Sequence, residues 1–327
     1  MNDSKKFKTI DFSSFSNPIT KTDLEHFKLS TKQTLIVLLV AFALFTIVVM
    51  WAAISQGSLT LETYFSISIP TIMLFVLIWL FTRRQMIQEA RLRRFAERNG
   101  FTFTADADVN AEVGTLFHTG HSRAMSQIIA GKVDDLQFQF GDFRYEVGSG
   151  RSARTYKYHF MSTTLPRPVP QVILDSRFSS AAFSFTAFSN SEKLSLEGDF
   201  DAYFKVHIPQ GYGADVLYFL TPELMEALKQ AASRFDIEFI DNKLYFYSSN
   251  SKNVREEDLR IFFAIIEKVS LEAWDNTRRY VDARMQGAEK LPNNGARIAK
   301  KIPINVVVTG AVILAVYIFW IVSSLTS

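Results

Sequence analysis

Two histidines three residues apart, His118 and His121 in HTGH, are the nearest this chain comes to a metal motif. On one turn both imidazoles can reach a single ion. Gly114 and Gly120 place them in a loop, and a third ligand is missing, so solvent-exposed or locally hydrogen-bonded histidines are the better reading. His26, His159 and His207 are scattered; His159 alternates with Tyr158 and Phe160 and so faces away from their packed side. The loop GSGRSAR, 148–154, offers backbone N–H groups and two arginines to an anion. It lacks the spacing of a phosphate-binding loop and reads as a hairpin tip. Glu197, Asp199 and Asp201 in LEGDFD have the types needed for acid–base or Mg²⁺ work, but their spacing is that of a solvated turn. No serine lies in GxSxG. With no cysteine, thiolate metal sites, iron–sulfur clusters, disulfides and a cysteine nucleophile are excluded. No catalytic residue, cofactor or metal site is assigned.

The elements that carry these residues divide by hydropathy. Three uncharged runs, 35–54, 64–82 and 304–322, are each long enough to cross a hydrocarbon core of about 30 Å as helix. Lysines of the first 34 residues, six arginines at 83–98, and Arg297, Lys300 and Lys301 flank these runs on one side. The positive-inside rule then places 1–34 and 83–301 in the cytoplasm and the C-terminal tip outside. The expected fold class is α+β: three transmembrane helices with a cytoplasmic domain of antiparallel sheet plus helices.

Within 83–301, RRQMIQEARLRRFAER reads as a helix continuing the second run and stopped by Gly100. Arg83, Arg84, Arg91, Arg93 and Arg94 are its candidates for contact with anionic lipid heads. From Phe101 to Ile208 alternation of apolar and polar residues predicts strands, among them 136–147 and 155–165. LPRPVP, 165–170, interrupts them and does not suit a central strand. Thr221 and Pro222 mark a helix start, and 236–249 reads as two short strands about Asp241-Asn242. Asn253 with Glu256 reads as a capping box opening a helix to about Met285.

The stretch 196–249, with LEGDF, FKV, LTPELME and then DNKLYFY, resembles an uncharacterised family of bacterial membrane-anchored proteins, a domain of unknown function. The resemblance implies paired N-terminal spans and a cytoplasmic α+β domain, with no activity attached. A net charge of +3 is too small to argue for nucleic acid. The reading that follows is a membrane-tethered, non-catalytic module, multi-pass in the cell membrane, whose cytoplasmic domain binds a protein partner or the membrane surface. The alternative is a membrane-bound enzyme acting on a lipid or nucleotide. A deep pocket with converging His, Asp and Arg favours the enzyme; a filled sheet face favours the module.

Overall fold

The computed structural model describes residues 9–20, 23, 42, 47, 61–133, 136–179, 183, 187–188, 191–196, 198–249, 253–281, 297–298 and 300–301. The chain forms two compact units, one of residues 10–105 with 253–256, the other of the remainder.

In the first unit a one-turn helix α1 (Ser13–Ser16) precedes the 38-residue helix α2 (Leu61–Arg98). The C-terminal half of α2 is amphipathic: Ala90, Leu92, Phe95 and Ala96 are buried, as recurrence at three and four residues requires. Phe95 stacks between Phe12, Phe15 and Phe101, with ring centroids 5.4, 5.8 and 6.2 Å away. Gly100 ends the helix as expected. It sits at φ +70, and Phe101 N–H donates to the Ala96 carbonyl at 2.8 Å. A left-handed residue of this kind lets the last carbonyls find donors, and glycine adopts it without strain.

Among the described residues no helix is long and apolar enough to cross a membrane. This overturns the expected three-span fold class, the transmembrane assignment, and with them the multi-pass placement and its orientation. The expected second span, 64–82, is the first half of α2, whose other half is charged and folded into the unit. Hydropathy alone does not separate a free-standing apolar segment from one end of a longer, mixed helix. The first and third expected spans, 35–54 and 304–322, lie outside the described residues, apart from Phe42 and Ile47.

Strand β1 (Thr102–Ala107) carries the chain into the second unit, which is mostly antiparallel sheet with a few helices. Its principal strands are β2 (His121–Val133), β3 (Leu136–Val147) and β4 (Arg154–Ser176). The hairpin tip between β3 and β4 is GSGRSAR, as the composition predicts. The shorter strands β5 (Ala187–Phe188), β6 (Ser191–Leu194) and β7 (Phe204–Pro209) follow. Then come α3 (Gly213–Phe219), α4 (Pro222–Ala232) and β8 (Asp236–Ser249). The order across the sheet is β2-β3-β4-β7-β6, with β8 also paired to β4. A helical run closes the unit: α5 (Glu256–Ile265), a π-helical stretch Ile266–Ser270, and α6 (Leu271–Arg278). The short strand β9 (Lys300–Lys301) pairs with β5.

Three expectations are corrected here. LPRPVP lies inside β4 and does not break it. One edge of β4 pairs with β8, with register shifts between Thr164 and Val172. The other edge pairs with β3 as far as Thr163 and with β7 from Ile173. The prolines at 166, 168 and 170 fall where one partner has left and the next has not arrived, so fewer donors are missed. Residues 236–249 form one strand: it pairs with β4 on both sides of Asp241, which takes φ +50 where the register shifts. The helix after Asn253 begins at Glu256, so no capping box forms there. Thr221, by contrast, caps α4 as expected, its side chain accepting from Leu224 N–H.

Both faces of the sheet are covered. Cross-strand register sets Tyr145 beside Tyr156, Phe143 beside Tyr158, and Gly141 beside Phe160 and then Tyr247. On this face Phe117 is fully buried, 4.8 Å from Phe143, 5.0 Å from Phe160, 5.6 Å from Tyr245 and 6.0 Å from Tyr247. The opposite face carries Phe138 and Phe140, covered by Phe263 and Phe262 of α5 at 5.3 and 4.7 Å. Alternation along a strand produces this division, since successive side chains point to opposite faces.

Candidate functional site

The five arginines singled out on α2 separate into two groups. Arg83 and Arg84 are exposed; Arg91, Arg93 and Arg94 are half-buried. Arg94 faces the N-terminal segment. Its guanidinium donates to the carbonyls of Ser14 and Asn17 at 2.8 Å and of Pro18 at 3.2 Å, and pairs with Asp23 at 3.0 Å. The Asp23 carboxyl lies below its ordinary value, chiefly because Thr20 hydrogen-bonds to it and also because Arg94 is near. Arg93 pairs with Glu89 at 3.6 Å and lies 4.9 Å from the centre of the Phe103 ring. Arg94 is therefore engaged by the N-terminal segment. Arg94→Ala should speed amide exchange throughout 11–18 and destabilise the unit by about 1–3 kcal/mol, as expected for lost hydrogen bonds to a charged group. Arg94→Lys should recover only part, since an ammonium cannot reproduce the planar fork.

Arg83 has different neighbours. Its guanidinium lies 5.3 Å from the ring of Trp79. Ile72, Met73, Leu74, Leu77, Trp79 and Phe81 are all exposed, Phe81 at 64%. The middle of α2 thus presents exposed apolar side chains followed directly by two exposed arginines.

In the sheet unit, the buried carboxylates are engaged by protein donors. Glu238 is fully buried. Its Oε1 accepts from Thr115 Oγ1 at 2.5 Å and Gln171 Nε2 at 2.7 Å; its Oε2 accepts from Thr115 N–H and Tyr247 O–H, both at 2.9 Å. Burial pushes Glu238 above the ordinary carboxylate range, against the opposing pull of these donors. Tyr245 O–H donates to Glu112 at 2.6 Å, and burial raises both tyrosines well above their ordinary value. Gln171 Oε1 accepts from Ile298 N–H at 2.7 Å, while Arg297 pairs with Asp241. This network joins β4, β8 and the chain at 297–298. Sequence reading missed it because its members are far apart in the chain and belong to no motif.

His118 and His121 do not share a ligand position. His118 Nε2 bonds the Glu112 carbonyl at 2.9 Å, and His121 Nε2 bonds the Gly148 carbonyl at 2.7 Å. No group of three or more His, Cys, Asp or Glu able to hold a metal exists among the described residues. Asp199 pairs with Lys229 at 2.5 Å, and Asp201 accepts from Ser195 at 2.5 Å and from Leu196 N–H at 3.2 Å. Glu197 lies outside the described residues.

His159 does face away from Tyr158 and Phe160, yet it is only 3% exposed, because helices cover that second face. Its Nδ1 lies 2.5 Å from Asp142 Oδ1, and its Nε2 is buried without a hydrogen-bond partner among the described residues. The register places Asp142, His159 and Ser248 side by side on β3, β4 and β8. That is the order of a hydrolase triad. The Nε2, however, makes no bond to the serine hydroxyl, so no activated nucleophile is assembled.

No protein family and no curated protein matches this chain. Among solved structures, the mycobacterial trehalose monomycolate transport factor A, TtfA, superposes with a TM-score of 0.42 at 9% identity, over 58% of this chain and 94% of that one. A likeness of that size carries no argument about fold or activity.

Proposed function

We propose that this chain is a non-catalytic binding module that docks on an anionic membrane surface through the middle of α2, residues 72–84. The observation that carries the reading is the adjacency of exposed Trp79 and Phe81 to exposed Arg83 and Arg84 on one helix. Apolar and aromatic side chains favour the headgroup boundary, and arginine adds attraction to anionic lipid. No span is required. The aromatic filling of the Phe117 face and the donor-saturated carboxylate of Glu238 support a module, because these groups are committed to holding the fold.

Sedimentation of the full chain with vesicles tests this. Binding to phosphatidylglycerol-containing vesicles should exceed binding to pure phosphatidylcholine and should weaken with salt, since surface charge is screened within about a nanometre. Each basic residue near such a surface is worth about 1 kcal/mol, so Arg83→Gln with Arg84→Gln should lower the affinity by roughly thirtyfold. Equal binding to both vesicle types, or a variant that binds as the parent does, would point instead to a protein partner.

A further inference from the structure

The helix-covered face of the sheet contains a cavity of about 380 Å³ between β4, β8, α4 and α5. That size lies in the range of small-molecule sites. Phe235, Ile261 and Phe262 supply apolar wall, and His159, Arg234 and Asp258 line the same space.

The state of His159 follows from its neighbour. A carboxylate 2.5 Å from Nδ1 requires a proton on that nitrogen. In the neutral ring Nε2 is then a lone-pair acceptor, buried, with none of the described residues donating to it. A buried acceptor left unmatched is costly, and a ligand that supplies the donor removes that cost. The same Nδ1–carboxylate arrangement orients histidines that bind metals. Asp258 is the only other metal-ligating type lining the cavity, and no suitable cluster of three exists among the described residues. A hydroxyl is the donor that fits.

A second feature comes from Arg234, which lines the same cavity. Arg234 is exposed and makes no hydrogen bond or ion pair with the described residues, whereas Asp258 is already engaged by protein groups. One cation is thus available and one anion is present, which suits a ligand with a single negative charge.

We propose that this cavity binds a small apolar acid carrying a hydroxyl. The hydroxyl donates to His159 Nε2, the apolar body lies against Phe235 and Phe262, and the carboxylate pairs with Arg234. Asp142 is the positioning residue that fixes the imidazole tautomer.

The test is a titration of the full chain, labelled with ¹⁵N-histidine, observed through its imidazole nitrogens. The probes are 4-hydroxyphenylacetate and 6-hydroxyhexanoate, each against its partner lacking the hydroxyl, phenylacetate or hexanoate. The hydroxy acids should shift His159 Nε2 and bind at least tenfold more tightly than their partners. Arg234→Gln, a change at an exposed position, should weaken the hydroxy acids while leaving 4-ethylphenol unaffected. Asp142→Asn should abolish the preference for the hydroxyl. The proposal is overturned if neither hydroxy acid moves His159 Nε2, or if the deoxy partners bind equally well. Vesicle binding is unaffected by either result, so this outcome is separable from that of the docking surface.

Discussion

Glu238→Leu should destabilise the sheet unit by about 3–5 kcal/mol, the range for removing one partner from a buried charged or hydrogen-bonded group. The substitution leaves Thr115 N–H, the Tyr247 hydroxyl and the Gln171 amide without their acceptor inside a closed core. Urea unfolding followed by far-UV circular dichroism measures it, and a loss below 1 kcal/mol would mean that the network is dispensable. The conservative Glu238→Gln isolates the charge. Its amide nitrogen must meet groups that are themselves donors, so a smaller cost of about 1–3 kcal/mol is expected.

The two variants also differ in pH dependence. Burial raises the Glu238 carboxyl above its ordinary 4.5 in the folded protein. The folded state therefore holds a proton that the unfolded chain has released, over the interval from 4.5 up to the raised value. Stability supplied by that proton is fully present below the lower limit and is lost as pH rises through the interval. The parent protein should fall in stability relative to Glu238→Gln as pH increases above about 4.5. Parallel curves for the two would show that Glu238 titrates normally.

Phe117→Ala is the second large effect, about 3–5 kcal/mol. Phe117 is fully buried and touches rings from β3, β4 and β8 at once. Its removal leaves a cavity lined by aromatic edges that are held by their own strands and cannot close in. Phe117→Leu should recover more than half of the loss. A thermal melt showing no change for Phe117→Ala would imply that the short helical turn carrying it, Thr115–His118, is not docked on the sheet.

Local chemistry in the sequence determined a good deal. Thr221-Pro222 started a helix, Gly100 ended one, and the alternation in 136–147 placed Phe138 and Phe140 on a single face, because caps and strand periodicity act over a few residues. The prolines of 165–170 misled, since proline forbids a donor but does not reveal whether the neighbouring strand needs one at that point. The apolar run at 64–82 misled similarly, because composition does not show where a helix continues. Only the tertiary structure decided that the second face of the sheet is covered, which buried His159 beside Asp142 in the wall of a cavity. It alone brought Thr115, Gln171, Glu238 and Tyr247 together, and it alone turned Arg94 toward Asp23 while leaving Arg83 exposed. Those outcomes depend on pairings across tens of residues. Side-chain type and spacing do not encode such pairings directly, because the burial that selects them exists only once the layers have packed.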